Sequence, residues 1–232
     1  MTVEMFKDKL IKEQIILSDQ QLKQFALYAE LLIKWNEVMN LTAITALDAI
    51  YEKHFYDSIL PFIHCQPKGV LCDVGSGAGF PGLVLKIVFP ELKVILLEPI
   101  KKRVRFLEQV IKELNLEDIN VINQRAEQHA QTKREYYDWV TARAVANLAV
   151  LVELCVPLVK VNGYFMALKG SNGEEEYRNA KRAIKLVGAK LNSIEKTELS
   201  DGSLRFNLLL YKQAMTDRLY PRSYAQIKNR PL

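Results

Sequence analysis

The chain has 232 residues, 49% hydrophobic and 25% charged, which excludes a disordered or fibrous protein and fits one large domain or a domain with a small extension. Net charge is +5 at pH 7, compatible with a polyanionic partner without requiring one. The cysteines, Cys65, Cys72 and Cys155, form no C-x-x-C pair, so neither a zinc site nor a disulfide framework is expected.

Residues 1 to about 65 read as helical. Glu4, Lys7, Asp8, Lys9, Lys12 and Glu13 interrupt the first apolar positions, unlike a secretory leader. No apolar run approaches the roughly 20 residues that span a bilayer. The expectation is a cytoplasmic protein in a reducing setting, with no membrane partner and a monomer as the default. Phe6, Leu10 and Ile11 have helical spacing, and Ser18 to Gln21 forms a capping-box signature. That box opens a helix with Leu22, Phe25, Ala29 and Leu32 on one stripe, expected to end near Trp35. A shorter helix is expected over 48–56. This segment carries six Lys/Arg against nine Asp/Glu, so its charge does not suit a main RNA surface, although Lys53 and His54 lie near its end.

From about 69 onward strands and helices alternate. Strands are expected at 70–74, 93–98, 119–123, 139–142 and 164–168, with helices near 80–89, 101–114, 147–160 and 174–187. Two longer β runs, 190–198 and 204–211, flank the hairpin signal Asp201-Gly202. Such alternation predicts an α/β, Rossmann-like parallel sheet with helices on both faces and a closing antiparallel strand. The expected division is a helical extension over 1–65, a nucleotide-binding domain over 66–211 and a basic tail over 212–232. The tail holds five Lys/Arg, among them Arg218, Arg222, Lys228 and Arg230, against one acid. With Tyr220 and Tyr224 interleaved, it reads as an RNA-contacting segment or as a solvated terminus.

The run Val70 to Gly82 joins an apolar strand, Asp73, glycines at 75, 77 and 79, and a helix. Glycine at such a turn permits positive φ and close approach of a ligand, and the helix that follows offers free N–H groups. A dinucleotide fingerprint would place a third glycine at position 80, where this chain has Phe80. The pattern D-x-G-x-G-x-G instead resembles the first motif of the class I S-adenosylmethionine methyltransferases. Glu98, at the next strand end and 19 residues after Gly79, is placed to accept hydrogen bonds from a ribose diol.

Ligands of a parallel sheet bind at the carboxyl ends of its strands. Those ends collect Asp73, Gly75, Gly77, Gly79, Glu98, Arg125, Ala126, Glu127, Arg143 and Lys169. Glu127, or Ala126 through its backbone, is a candidate partner for an adenine amino group; the alternative is a surface acid starting a helix. Arg143 has three candidate partners: a methionine carboxylate, Asp73 or an RNA phosphate. Arg143 and Lys169 are the candidate catalytic residues, and Arg125, Arg143, Lys169 and His54 the candidates for holding an acceptor base. Glu174 to Glu176 read as a solvated helix start, and His64 and His129 as incidental. No cysteine stands at the end of the fourth strand, near the site, for attack on a pyrimidine (Cys155 falls within the next helical run), and no Asn/Asp-Pro-Pro-aromatic turn is present for exocyclic amines. A ring nitrogen with a free lone pair needs neither, only positioning.

With those residues in view the chain resembles the glucose-inhibited division protein B family, the bacterial small-subunit rRNA guanine-N7 methyltransferases. The resemblance rests on Trp35-Asn36, Met39 to Thr42, His54 to Ser58, Asp73 to Gly82, Lys102 to Leu107, Arg125 to Glu127, Arg143-Ala144, Ala167 to Gly170, Tyr220 to Arg222 and Pro231-Leu232. It implies S-adenosylmethionine as methyl donor, 16S rRNA in or near the small subunit as substrate, and cofactor contacts at Gly75, Phe80, Ala126, Glu127 and Arg143. RNA contact is assigned to Arg125, Lys169, Arg218, Arg222, Lys228 and Arg230; no metal is expected. Residues 223–230 depart from the Gly/Thr/Pro- and Lys-rich tail of the family. Two other readings of the same residues are a dinucleotide-dependent oxidoreductase and a non-catalytic RNA-binding assembly factor.

Overall fold

The computed structural model describes residues 1–232. Seven strands form one sheet: β1 (Val70–Val74), β2 (Lys93–Leu97), β3 (Ile119–Ile122), β4 (Tyr137–Arg143), β5 (Val159–Lys169), β6 (Ala189–Glu198) and β7 (Leu204–Lys212). Their order is β3-β2-β1-β4-β5-β7-β6. The first five are parallel, and β7 runs antiparallel between β5 and β6. The order reverses between β1 and β4, so the crevice at their carboxyl ends is the place where an open sheet takes ligands. β4 and β5 begin earlier than their apolar cores suggested, at Tyr137 and Val159, because these two residues pair with each other ahead of a register irregularity.

The helices are α1 (Val3–Lys12), α2 (Asp19–Met39), α3 (Leu47–Ile50), α4 (Asp57–Ile59), α5 (Gly82–Val88), α6 (Lys101–Glu113), α7 (Ala126–His129), α8 (Leu148–Cys155), α9 (Gly173–Leu186) and α10 (Tyr224–Asn229). None is long and apolar enough to cross a membrane. Ser18 and Gln21 close the expected capping box. α2 continues past Trp35 to Met39 and stops where Asn40 turns left-handed, at φ 49°. Its apolar stripe, Phe25, Ala29 and Leu32, packs with Phe6, Leu83, Val94 and Phe106, so the N-terminal helices share a core with one face of the sheet. Gln21 and Gln24 donate to the carbonyls of Ile87 and Leu114, at 2.7 and 2.8 Å, tying α2 to the ends of α5 and α6.

Between α3 and α4 the chain makes a π-helical turn, Tyr51–Tyr56. Such turns are rare overall and are frequent at functional sites. Here the turn carries Lys53 and His54 and leads directly into Asp57 and Ser58. α8, α9 and α10 cover the other face, with Leu151, Ala180, Ile184 and Ile227 in one core.

The C-terminal residues differ from a free basic tail. Lys212 is buried beside Glu135 at 3.3 Å and donates to Val156 O at 3.0 Å and to Thr216. Burial pushes its ammonium down to about 8. His129 is likewise not incidental: it is buried, with Nε2 2.6 Å from the Tyr137 hydroxyl and Nδ1 3.0 Å from Gln124 Oε1.

Candidate active site

The glycine turn leaves β1 with Gly75, Gly77 and Gly79 all at positive φ (70°, 61° and 95°). A Cβ on Gly75 would lie 2.7 Å from Val145, and one on Gly79 2.3 Å from Leu83 and 2.6 Å from the Tyr28 hydroxyl. Tyr28 donates to Ala78 O at 2.5 Å, so α2 pins the turn from below. Glu98 holds it from the side: Oε2 accepts from Gly77 N at 2.9 Å and Oε1 from Ile100 N at 2.8 Å. Asp73 is fully buried beneath the turn, its Oδ2 accepting from Gly82 N at 2.9 Å. Asp73 Oδ1 and Thr141 Oγ1, on register-paired residues of β1 and β4, have no partner. Burial raises the Asp73 carboxyl to about 7.

A cavity of about 240 Å³ opens over this turn, walled by Gly75, Glu98, Ile100, Ala126, Glu127 and Tyr224 among others. Its residues fit a nucleoside-bearing sulfonium. Each Glu98 oxygen has a second lone pair for a ribose diol. Ile100 and Leu154 supply apolar flanks for a base. Around Gly77 a Cβ would meet only Gly75 O, at 3.9 Å, so the space beside the backbone is open to a ligand.

A second cavity, about 320 Å³, lies on the other side of Ala144. Ala144 lines both cavities and is itself left-handed, at φ 56°. The second cavity is walled by Lys53, His54, Asp57, Arg143, Lys169, Glu176 and Arg205, which form two bonded groups, one around Asp57 and Arg143 and the other the Lys169–Glu176 pair. Arg205 Nε donates to both Asp57 oxygens, at 2.9 and 3.0 Å, and Arg143 reaches Asp57 Oδ2 at 3.4 Å. Arg143 also donates to Lys53 O at 3.2 Å and to His54 Nδ1 at 3.1 Å. A guanidinium only donates, so Nδ1 accepts, the His54 proton sits on Nε2, and Nε2 donates to Thr42 Oγ1 at 2.8 Å. Burial, with Arg143 nearby, pushes the His54 ring down to about 3 and keeps it neutral. Phe80 stacks on that ring at 4.4 Å and lies under the Arg143 guanidinium at 4.9 Å. Lys169 Nζ pairs with Glu176 at 2.7 Å and donates to Ala146 O at 2.7 Å.

The residues singled out from sequence therefore divide. Gly75, Glu98, Arg125, Ala126 and Glu127 line the first cavity, and Gly77 is bonded to Glu98. Gly79 packs against Leu83 and Tyr28; Phe80, expected at the cofactor, instead stacks between Tyr28 and the His54 ring on the second cavity's side, where Arg143 and Lys169 also stand. Arg143 meets Asp57 rather than hydrogen-bonding to Asp73. Glu176 is not a solvated helix start: it holds Lys169 and accepts from Leu148 N at 2.6 Å. Of the tail cations, Arg218, Lys228 and Arg230 are exposed. Arg222 instead grips the fully buried Glu153, at 2.8 and 2.6 Å. The sequence assigns no site role to Asp57 or Arg205, and it points Tyr224 toward RNA rather than toward the first cavity. Asp57 and Arg205 are 148 residues apart, with no local signal to join them.

A sheet of this order, with β7 antiparallel, a glycine turn after β1 and an acid after β2, defines a class I S-adenosylmethionine-dependent methyltransferase. Solved structures share the fold. Precorrin-6y C5,15-methyltransferase from Geobacter metallireducens matches with TM-score 0.54 and 11% identity, over 67% of this chain and 87% of that one. TrmN from Thermus thermophilus matches with TM-score 0.53 and 17% identity, over 70% and 53%. The family model GidB, rRNA small subunit methyltransferase G, matches residues 21–204. Ribosomal RNA small subunit methyltransferase G of Staphylococcus aureus is 46% identical over all of this chain and 99% of its own length, and that of Staphylococcus carnosus 44% over the same shares. The chain belongs to this family of methyltransferases, with S-adenosylmethionine as methyl donor.

Proposed function

We propose that the chain methylates N7 of a guanine in small-subunit (16S) ribosomal RNA, acting as a cytoplasmic monomer. The observation that carries this reading is the meeting of two cavities at Ala144, one suited to the cofactor and one walled by charged side chains. The names of the relatives support the RNA substrate.

When bound, the cofactor supplies an electrophilic methyl group on sulfur. Guanine N7 carries an in-plane lone pair and no proton, so the acceptor side needs no general base. The second cavity fits that requirement: both His54 nitrogens are committed, to Arg143 and Thr42, and the carboxylates are held in ion pairs. The work of these residues is therefore positioning, which supplies several kcal/mol when reacting atoms are held in line. Cationic walls offer donors for guanine O6 and for phosphates, and carboxylate oxygens offer acceptors for N1–H and the 2-amino group. Methylation leaves the base cationic, a charge that Asp57 and Glu176 are placed to stabilise. Exposed Arg218, Lys228 and Arg230, with Arg125, are the proposed phosphate contacts, each worth about one unit of slope in the logarithmic salt dependence of binding.

The test is transfer of radiolabel from S-adenosylmethionine to 30S subunits and to rRNA from a strain lacking the gene, with N7-methylguanine mapped by aniline cleavage. Label at one 16S guanine is expected. No label in any RNA, with cofactor still bound, would instead favour the non-catalytic assembly factor.

A further inference from the structure

The C-terminal residues that resemble a solvated basic tail build part of the cofactor cavity. Tyr224, the first residue of α10, lines the same cavity as Gly75, Glu98 and Glu127. The Arg125 guanidinium lies 4.7 Å from the centroid of its ring. Arg125 immediately precedes Ala126, so the tyrosine stands at the Ala126–Glu127 end of the cavity. Its position is fixed by unusually strong anchors for a terminus. Arg222 donates to Glu153 through its backbone N–H at 3.0 Å and through its guanidinium at 2.8 and 2.6 Å. Glu153 is fully buried on α8, and its neighbour Leu154 lines the cavity. Arg134 donates to Thr216 O, Asp217 O and Tyr220 O at 2.7, 2.8 and 2.7 Å. Ile227 is fully buried against the α8 core, and Ser223 and Gln226 cap α10.

We infer that Tyr224 is a cofactor-binding residue: its ring, held by Arg125, forms the outer wall for the adenine end, and Arg222 is the positioning residue that sets it there. This rests on the cofactor reading of the first cavity. The Arg222–Glu153 pair is a strong constraint on where the tail sits, since removing Arg222 would leave the fully buried Glu153 without its cation. Aromatic stacking on a purine is worth about 1–3 kcal/mol, or roughly 5- to 150-fold in affinity.

The test is calorimetric titration of the full chain with S-adenosylhomocysteine and, separately, with 5′-methylthioadenosine, which lacks the amino-acid end. Tyr224→Ala is expected to weaken both by about 10-fold or more, and Tyr224→Phe to retain most of the affinity. The ring is half-buried, so the melting temperature without ligand is expected to stay close to that of the parent. Hydrogen exchange on the unaltered protein gives a second reading: S-adenosylhomocysteine should slow the amides of residues 224–229. Parent-like affinity in Tyr224→Ala, or exchange in α10 indifferent to ligand, would overturn the inference. Failure of the unaltered protein to bind either ligand would overturn the cofactor reading itself.

Discussion

The two cavities that meet at Ala144 are built from different materials. The cofactor cavity is made largely of main chain: a turn of three left-handed glycines, tied by Glu98 and pinned by Tyr28. The acceptor cavity is made of side-chain charges drawn from the π-helical turn, α4, β4, β5, β7 and α9, each held by another. A main-chain site depends on backbone conformation and resists most side-chain changes. A cross-linked charge site is sensitive to the loss of any member, because the partner left behind is buried and unpaired. The proposed methyl transfer thus draws on one local main-chain motif and on charges gathered from distant segments.

That contrast can be broken most forcefully at Asp57, the shared acceptor of Arg143 and Arg205. Asp57→Asn removes one carboxylate charge from two guanidinium partners. It is expected to lower stability by about 3–5 kcal/mol, read by chemical denaturation, and to lower methyl transfer at least ~100-fold through misplacement of Arg143. On the other side, Glu98→Gln keeps the shape but weakens charge-assisted hydrogen bonds. It is expected to raise the dissociation constant for S-adenosylhomocysteine by about 10-fold while leaving transfer at saturating cofactor near normal.

A pH-dependent effect follows from Asp73, held near 7 by burial against an ordinary value of 3.8. Between those values the unfolded chain has released its proton and the folded chain keeps it. This group's contribution to stability therefore falls as pH rises across that window, by at most about 1.4 kcal/mol per pH unit. Asp73→Asn should flatten that slope in denaturation curves between about pH 4 and 7.5. Smallest is the capping box far from either cavity. Ser18→Ala should cost about 1 kcal/mol of stability without changing cofactor affinity, measured by melting and titration.

The contrast also explains what could be read in the sequence. The glycine turn, its strand and Glu98 lie within one short stretch of chain, and their function is a main-chain conformation that glycine spacing reports directly. The alternation of elements likewise reported the sheet and its antiparallel β7. Asp57 and Arg205 have no such signal, since their pairing exists only once β7 lies beside β5 and α4 packs over the sheet end. Arg222 and Tyr224 misled in another way: basic and aromatic residues in a terminal segment resemble an RNA arm. The corrective clue was Glu153, a lone acid in the apolar helix Leu148–Cys155, because a buried carboxylate requires a cation. Lys212 in β7 and its partner Glu135 pose the same problem, solved by a contact between distant segments.

The division of labour between the cavities is tested most directly on Arg143→Ala, by measuring S-adenosylhomocysteine affinity and single-turnover methyl transfer to 30S subunits on the same preparation. Arg143 lies wholly on the acceptor side of Ala144, so affinity should stay within about 3-fold of the parent while transfer falls at least ~100-fold. Equal losses in both would place Arg143 in the cofactor site and contradict the separation of the two cavities.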